Sequence, residues 1–193
     1  MQKRLDASAY VSGLTTVVLA LGNARLLVGV GRLMEHRPQV RLYWVHLMWV
    51  ANLFLFLSLQ WWILFRWASW TSWNFFLFVF LIASPTVGFL LCVMLFHEPL
   101  SEHADFKQHF YGNHRWFFSL GALLPPLDFI DTLWKGYSHL VAQGFIYPIT
   151  LTLVTSLSIV GAITANEKYH KFFAVFFFVY LTAFVAMNLN VLP

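Results

Sequence analysis

The sequence predicts an all-α fold, a polytopic bundle of about six transmembrane helices that forms a single integral membrane domain over residues 1–193. Two features of the composition indicate this, because 60% of the residues are hydrophobic and only 10% are charged, against about 25% charged residues in a soluble domain. The third is the order of the apolar residues, which form six runs near the length of about 20 residues that a spanning helix requires. The lipid bilayer is therefore the expected surrounding of nearly the whole chain.

Charge and cysteine content exclude several other classes of protein. The formal net charge of +4 comes from Lys and Arg residues spread over short loops, so it indicates orientation in a membrane and no nucleic-acid binding. Cys92 is the only cysteine and lies in an apolar run, which excludes an intramolecular disulfide and a covalently attached haem. The basic N-terminus with its long apolar run is predicted to be a retained first span rather than a signal peptide.

The predicted spans follow each other with short polar breaks, at residues 7–33, 42–65, 74–96, 116–134, 140–163 and 172–192. In the first span Ser8, Thr15, Gly22 and Gly29 recur at heptad spacing, and small residues allow helices to pack closely in lipid. Arg25 lies within the same span. It is expected either to extend to the nearby interface or to bind an internal acid or carbonyl group.

Prolines and acids make the fourth span the least regular. Pro125 and Pro126 stand in its middle, so it is predicted to form two half-helices or a re-entrant segment. Asp128 and Asp131 follow, three positions apart on one helix face near the far interface. Two interpretations are equally supported. The two carboxylates attract a cation, or they are interfacial acids at a solvated helix end within reach of Lys135.

Polar residues within two other spans are candidates, together with Arg25, to line or gate a transport pathway. They are His46, Asn52 and Gln60 in the second span, and Gln143 and Thr150 in the fifth. His46 and Gln60 lie close together on a helical wheel, with Asn52 on a neighbouring face. The simpler interpretation is that each residue bonds a neighbouring helix or a carbonyl group of its own helix.

The longest polar segment, residues 97–115, contains four of the eight histidines. It predicts a short amphipathic helix that ends at Gly112 on the cytoplasmic membrane surface. The candidate metal ligands in it are Glu102, Asp105 and His109, which share one helix face, and His97 or His103 to complete the site. Carboxylates and imidazoles bind divalent iron, manganese or zinc, whereas the alternative is a surface helix with ordinary solvated charges. No metalloprotease or desaturase motif is present, and the sequence assigns no catalytic residue and no other cofactor.

Lys and Arg residues predict the orientation of the bundle. Seven of them lie in the loops after spans one, three and five, and four lie on the opposite side, with Arg25 left out. The excess of positive charge puts both termini outside and the long polar loop in the cytoplasm. Seven of the eight histidines fall at or near the same face, which is expected to change charge between about pH 5 and 8.

Several short motifs extend over most of the chain. They include Leu26-Leu27-Val28-Gly29, Gly31-Arg32-Leu33, Tyr43-Trp44, His46-Leu47, Trp61-Trp62, His109-Phe110-Tyr111 and Arg115-Trp116-Phe117-Phe118. Together they resemble a family of small, uncharacterised bacterial multi-pass inner-membrane proteins with about six spans. The resemblance implies a bacterial inner membrane as the location and implies no activity.

Three functions are compatible with these features. The leading hypothesis is a homo-oligomeric channel or small transport protein, since a short chain has few spans to enclose a pathway alone. The second is a metal-dependent or redox membrane enzyme that uses the His, Asp and Glu residues of the long loop. The third is a non-catalytic partner or sensor subunit whose loop binds another membrane or cytoplasmic protein.

Overall fold

The computed structural model describes residues 7–36, 40–67, 73–96 and 104–188, and its architecture is all-helical, as the sequence predicts. The helices within these residues are α1 (Ala7–Glu35), α2 (Trp44–Ile63), α3 (Phe75–Leu95), α4 (Phe106–Gly121), α5 (Leu124–Trp134), α6 (Tyr137–Ala142), α7 (Ile146–Ile163) and α8 (Glu167–Asn188). A short 3-10 helix (Leu64–Trp67) extends α2. The β-structure of the described residues is one isolated bridge between Arg41 and Asp105.

Five of the described helices are long and apolar enough to cross a membrane, namely α1, α2, α3, α7 and α8. Each has between 18 and 27 residues in its candidate span, which matches a hydrocarbon core of about 30 Å. Backbone groups within such helices bond each other, so no polar main-chain group has to face lipid. These helices identify the chain as an integral membrane protein.

An interruption divides the predicted fourth span, as its prolines indicate. α4 ends at Gly121, residues 122–123 form a turn, and α5 begins at Leu124. Pro125 stands in the first turn of α5, where the missing backbone N–H removes no helical hydrogen bond. The proline pair therefore marks the start of a new helix.

In the long polar segment, α4 has a different end from the amphipathic helix that the sequence predicts. The helix begins at Phe106 and continues through Gly112 to Gly121, so the prediction that it ends at Gly112 is wrong. Phe110 and Phe117 are buried on either side of Gly112, and burial of such side chains outweighs the cost of about 1 kcal/mol for Gly inside a helix. The first part of the predicted helix, up to residue 103, lies outside the described residues.

Three connections meet at one end of the bundle. The backbone N–H of Arg41, before α2, donates to the carbonyl oxygen of Ala104, before α4, at 3.0 Å. The Lys107 ammonium group of α4 binds the Glu167 carboxylate of α8 at 2.7 Å. We call this end the histidine end after His46, His109, His114 and His170. The connections α1–α2, α3–α4 and α7–α8 share it, and the side of the membrane that it faces remains a prediction.

The opposite end contains Trp67, Trp73 and Trp134, and we call it the tryptophan end. The Nε1–H of Trp67 donates to Asp131 Oδ1 of α5 at 3.1 Å. The ring of Trp134 stacks on Phe80 of α3 with 5.6 Å between the centroids. Since α4 begins at the histidine end, α4 and α5 together extend from one end of the bundle to the other.

Small residues let α1 lie against α3. A Cβ atom added at Gly29 would lie 2.5 Å from the Phe96 ring, and one added at Gly22 would lie 2.8 Å from a leucine methyl group of α2. Thr15, one heptad earlier, is buried. The predicted small-residue face is therefore the packing face of α1. The Ser8 side chain lies outside the part that the structure describes.

Candidate substrate cavity

A cavity of about 150 Å³ lies between α2, α5, α7 and α8, and the end of α4 borders it. Its lining includes Trp49, Leu53, Phe56 and Gln60 from α2, Tyr147, Leu151, Val154 and Ser158 from α7, and Phe173, Phe177, Tyr180 and Phe184 from α8. These positions recur every three or four residues, so one face of each helix lines the cavity. The space forms because α7 packs mainly against α4 and α5, whereas α8 packs mainly against α2.

Aromatic rings close the cavity toward the histidine end. Trp49 of α2 packs against Phe118 of α4 and Phe173 of α8, with centroids 5.2 Å apart in both pairs. All three side chains are buried. The buried Nε1–H of Trp49 has no hydrogen-bond acceptor among the described residues, although a buried donor without a partner costs about 1–3 kcal/mol. The closed end of the cavity therefore contains one N–H donor, that of the Trp49 indole, without an acceptor among the described residues.

Hydrogen-bonded side chains line the end of the cavity nearer the tryptophan end. The Tyr147 hydroxyl group of α7 donates to Asp128 Oδ2 of α5 at 2.7 Å. The Thr132 hydroxyl group lies 2.7 Å from the Tyr147 oxygen and is therefore the donor in that pair. These bonds join α5 to α7 and hold the Asp128 carboxylate at the cavity wall.

A second carboxylate lies one turn further along α5. Asp131 accepts hydrogen bonds from the Trp67 indole and from the Lys135 ammonium group, and Lys135 also lies 4.9 Å from the centre of the Trp67 ring. Gln143 and His139 approach each other at 3.3 Å at the same end. All of these except Trp67 line the cavity. This polar end therefore contains both signs of charge and both donors and acceptors.

The cavity is elongated along the helix axes. Trp49 and Gln60 line it eleven positions apart on α2, and Tyr147 and Ser158 line it eleven positions apart on α7. Eleven residues of helix correspond to about 16 Å. The lining of the cavity therefore extends over most of the length of α7, although its volume is only that of a site for one benzene molecule.

Two of the six predicted pathway residues line this cavity. Gln60 Nε2 donates to Ser84 Oγ of α3 at 2.6 Å, and Gln143 faces His139. Gln60 also lines a smaller cavity of about 60 Å³ on the side of α1 and α3, which Asp128 and Asp131 border too. These residues form the wall between the two cavities.

The other four predicted pathway residues donate to backbone carbonyl oxygens. Arg25 bonds Phe96 at 3.3 Å, His46 bonds Leu95 at 2.7 Å, Asn52 bonds Ala174 at 3.0 Å, and Thr150 bonds Ile146 at 2.9 Å. Arg25 thus binds an internal carbonyl group, which was one of its two expected environments. For His46, Asn52 and Thr150 these bonds match the simpler interpretation. A role of the four residues in transport remains a prediction.

The predicted metal ligands are only partly described. Asp105 precedes α4 and accepts the backbone N–H groups of Lys107 and Gln108 at 2.8 and 3.0 Å, so it caps the helix. His109 Nε2 donates to the carbonyl oxygen of Met94 at 3.0 Å. Glu102, His97 and His103 lie outside the described residues. Among the described residues, no group of three or more His, Cys, Asp or Glu side chains is placed to hold a metal ion, and the divalent-metal site remains a prediction.

Buried histidines join the helices at the histidine end. His46 Nε2 donates to the carbonyl oxygen of Leu95 at 2.7 Å, and His170 Nε2 donates to that of Thr164 at 2.8 Å. A carbonyl oxygen only accepts, so these nitrogens carry the protons. The Nδ1 atoms of both rings are buried without a partner among the described residues, and a second proton there would find no acceptor. This geometry favours a structural role over gating by charge.

Ion pairs form the outermost layer at the same end. The Glu167 carboxylate binds Lys107 at 2.7 Å and Lys171 at 2.8 Å, and the hydrogen bond to Glu167 raises the pKa of Lys107. Beneath them the hydroxyl groups of Tyr43 and Tyr111 lie 3.2 Å apart, and burial raises the pKa of Tyr43. The histidine end is therefore closed by polar contacts above the aromatic rings.

Sequence reasoning found the polar end of the cavity only in part. The spacing of Asp128 and Asp131 indicated a pair that attracts a cation, and Gln143 stood out as a polar residue in the fifth span, whereas Tyr147 was not singled out. Trp49 gave no signal, because a tryptophan within an apolar run is ordinary for a membrane helix. Its place in the cavity depends on how α4 and α8 pack around α2.

The helices support the class of polytopic α-helical membrane protein, and the described residues enclose a cavity that is aromatic at one end and polar at the other. Comparison of the chain with known protein families, curated proteins and solved structures found no match. The function therefore has to be argued from the site itself.

Proposed function

We propose that the protein is a small transport protein of the bacterial inner membrane, with the cavity between α2, α5, α7 and α8 as its substrate site. The observation that carries this proposal is the asymmetry of the cavity. Toward the tryptophan end it reaches the partly exposed side chains of Lys135, His139 and Gln143. Toward the histidine end it is closed by aromatic rings, beyond which lie the ion pairs of Glu167. A central site that is accessible from one side at a time is the arrangement of alternating access.

The proposal includes six crossings, with α4 and α5 as the interrupted fourth. Transporter sites often lie where a helix is broken near the middle of the membrane, and the break between α4 and α5 borders the cavity through Gly121 and Leu124. The histidine end faces the cytoplasm in this arrangement, as the positive-inside rule predicts. We keep the homo-oligomer as a further proposal, since the cavity itself needs only one chain.

A transport cycle is supported better than a permanently open channel. The buried layer of Trp49, Phe118 and Phe173 blocks the route between the cavity and the histidine end. The ion pair of Lys107 and Glu167 lies at the surface, where water screens the two charges and such a pair contributes little to stability. This ion pair therefore adds little to the cost of a motion that opens the histidine end.

Two-sided access to the cavity tests the proposal without knowledge of the substrate. Replacement of Cys92, the only cysteine, by alanine provides a cysteine-free background, and Ser158→Cys then places one thiol in the cavity wall. We expect a membrane-impermeant maleimide to label this thiol quickly from the tryptophan end and slowly from the histidine end, in vesicles of either orientation. Adding Glu167→Gln is expected to raise the slow rate severalfold, because it weakens the closing ion pairs.

The adjacent variant Ile159→Cys is the matched control. Ile159 is exposed on the outer face of α7, where lipid shields a thiol from an impermeant reagent, so it is expected to react from neither side. Labelling of Ser158→Cys from the histidine end that stays at the level of Ile159→Cys, even with Glu167→Gln, would show a cavity closed at one end and would reject transport.

A further inference from the structure

We infer that the cavity takes a compact, neutral molecule with one oxygen acceptor, which binds at the closed end and accepts hydrogen bonds from Trp49 and Ser158. This inference rests on the proposed function, because it names the substrate class of the same site. It follows from three properties of the cavity: its volume, the two donors without a partner at its closed end, and the uncharged rings that surround them.

The volume of the cavity limits the size of the molecule. The cavity measures about 150 Å³, and an apolar cavity of that volume in a folded protein binds one benzene molecule. The lining residues extend along the helices, but the space that they enclose is too small for a long chain. A six-membered ring with one small substituent is therefore about the largest molecule that fits without a movement of the walls.

The Trp49 indole is the first of the two donors. Trp49 is 4% exposed and lines the cavity, and its Nε1–H has no acceptor among the described residues. An indole nitrogen only donates, so the group that completes this end of the site has to accept. An oxygen atom of the substrate does so, and the new hydrogen bond removes the cost of a buried donor without a partner.

The Ser158 hydroxyl group is the second donor. Ser158 is 4% exposed and lines the cavity, and its hydroxyl group has no hydrogen-bond partner among the described residues. Serine and threonine side chains in membrane helices usually bond a carbonyl oxygen of their own helix. Those of α7 that do so are Thr150, Thr152, Thr155 and Ser156. The Ser158 hydroxyl group therefore differs from the others of its helix in being available to a substrate.

The Phe118 ring relates the two donors to each other. It packs against Trp49 with 5.2 Å between the ring centroids. A Cβ atom added at Gly161, about one turn beyond Ser158 on α7, would lie 3.1 Å from the same ring. Both donors therefore lie close to one ring at the closed end. An oxygen atom with two lone pairs accepts from both of them.

The surroundings of the two donors favour a neutral molecule. The rings that pack against Trp49 include those of Phe118, Phe173 and Phe177, and none of them carries a charge. Transfer of an ionised group from water into such surroundings costs far more free energy than transfer of a neutral oxygen that is hydrogen-bonded there. A ketone, an ether or an alcohol therefore fits the closed end better than an ion does.

Three probes test the acceptor and the size limit. Cyclohexanone and methylenecyclohexane have the same ring and differ only in an oxygen atom against a CH₂ group, and 4-tert-butylcyclohexanone carries the same oxygen on a larger molecule. The measurement is saturable binding of each radiolabelled probe to the purified full chain in nanodiscs, corrected for empty nanodiscs. We expect cyclohexanone to bind severalfold more tightly than methylenecyclohexane, and the bulky ketone to show no saturable binding.

Variants of the two donors locate the oxygen. Trp49→Phe and Ser158→Ala should each weaken cyclohexanone about fivefold and leave methylenecyclohexane unchanged, because each removes one neutral hydrogen bond. The matched controls are Trp44→Phe, at an exposed position of α2, and Ser156→Ala, at an exposed position of α7, which should change neither probe. Equal binding of the two small probes, a preference for cyclohexanone that survives both donor variants, or saturable binding of the bulky ketone would overturn the inference.

Labelling of Ser158→Cys separates this inference from the transport proposal. Access from both ends without selective binding of cyclohexanone would reject this substrate class and keep transport. Selective binding with access from one end only would reject transport and keep the site.

Discussion

Gly29 and Gly31 lie two positions apart on α1 and have different surroundings. A Cβ atom at Gly29 would lie 2.5 Å from the Phe96 ring, whereas one at Gly31 would meet nothing within 4 Å. The Phe96 ring cannot move freely, because it packs against His46 and Phe106. We expect Gly29→Ala to lower the free energy of unfolding by about 1–3 kcal/mol, measured as a lower midpoint of unfolding in detergent.

Gly31→Ala is the matched control for that prediction. It adds the same methyl group to the same helix without a clash, and alanine favours a helix over glycine by up to about 1 kcal/mol. Its unfolding midpoint should therefore stay equal or rise. Equal loss of stability in both variants would mean that α1 does not pack closely on α3 through Gly29.

Single residues were predictable where local spacing decides their environment. The heptad of Gly22 and Gly29 predicted a packing face, because the faces of a helix follow from its period alone. The carbonyl partner of Arg25 belongs to Phe96, which lies 71 positions away in the chain. That pairing depends on where α3 ends relative to α1, and no local pattern contains this information.

At the scale of a helix, Asp105 has two competing roles that one pair of variants separates. The structure shows it as the N-cap of α4, and loss of such a cap costs about 1 kcal/mol, while asparagine caps as well as aspartate. We expect Asp105→Ala to lower the thermal midpoint and Asp105→Asn to preserve it. If Asp105 is instead a metal ligand, Asp105→Asn should also release bound metal.

Metal analysis of the same samples decides between the roles. If Asp105 only caps α4, the wild-type chain and Asp105→Asn should contain equal amounts of metal, as measured by elemental analysis. His109→Ala provides a second comparison, since His109 bonds the carbonyl oxygen of Met94 and belongs to the predicted ligand set. Stoichiometric metal that both variants lose would establish the loop site and would show that the cap is not the main role of Asp105.

The sequence predicted a helix boundary correctly where the residue at the boundary is a strong helix breaker. Pro125 and Pro126 predicted the interruption between α4 and α5, because proline cannot continue a helical hydrogen-bond ladder. Gly112 was a weaker signal and failed to end α4. Its cost is small against the burial of Phe110 and Phe117 on the same helix, and that burial depends on contacts with α2, α7 and α8 that sequence spacing does not contain.

The cavity belongs to the whole molecule and was beyond sequence reasoning. It exists because α7 and α8 diverge, α7 toward α4 and α5 and α8 toward α2. The sequence places Asp128, Tyr147 and Trp49 in three different spans without a shared motif. Hydropathy supplies the number and length of the apolar segments, but it does not determine which faces meet. The fold class was therefore predictable, whereas of the cavity only some residues of its polar end were.

The orientation of the bundle leads to a prediction about three exposed residues. In the cysteine-free Cys92→Ala background, Gln108→Cys and Ala165→Cys place thiols at the histidine end, and Ala142→Cys places one at the tryptophan end. The excess of Lys and Arg at the histidine end predicts that it is cytoplasmic. An impermeant maleimide applied to intact spheroplasts should therefore label Ala142→Cys and leave the other two unlabelled until the membrane is permeabilised.

The three thiols also test the number of crossings, because each pair is separated by a different part of the chain. Gln108 and Ala142 lie on opposite sides only if α4 and α5 together cross the membrane, and Ala142 and Ala165 only if α7 does. Labelling of Gln108→Cys and Ala165→Cys with protection of Ala142→Cys would reverse the orientation and keep the fourth and fifth crossings. Labelling of Gln108→Cys together with Ala142→Cys would show that α4 and α5 return to the side they came from, and the cavity would then have to be reached from one side only.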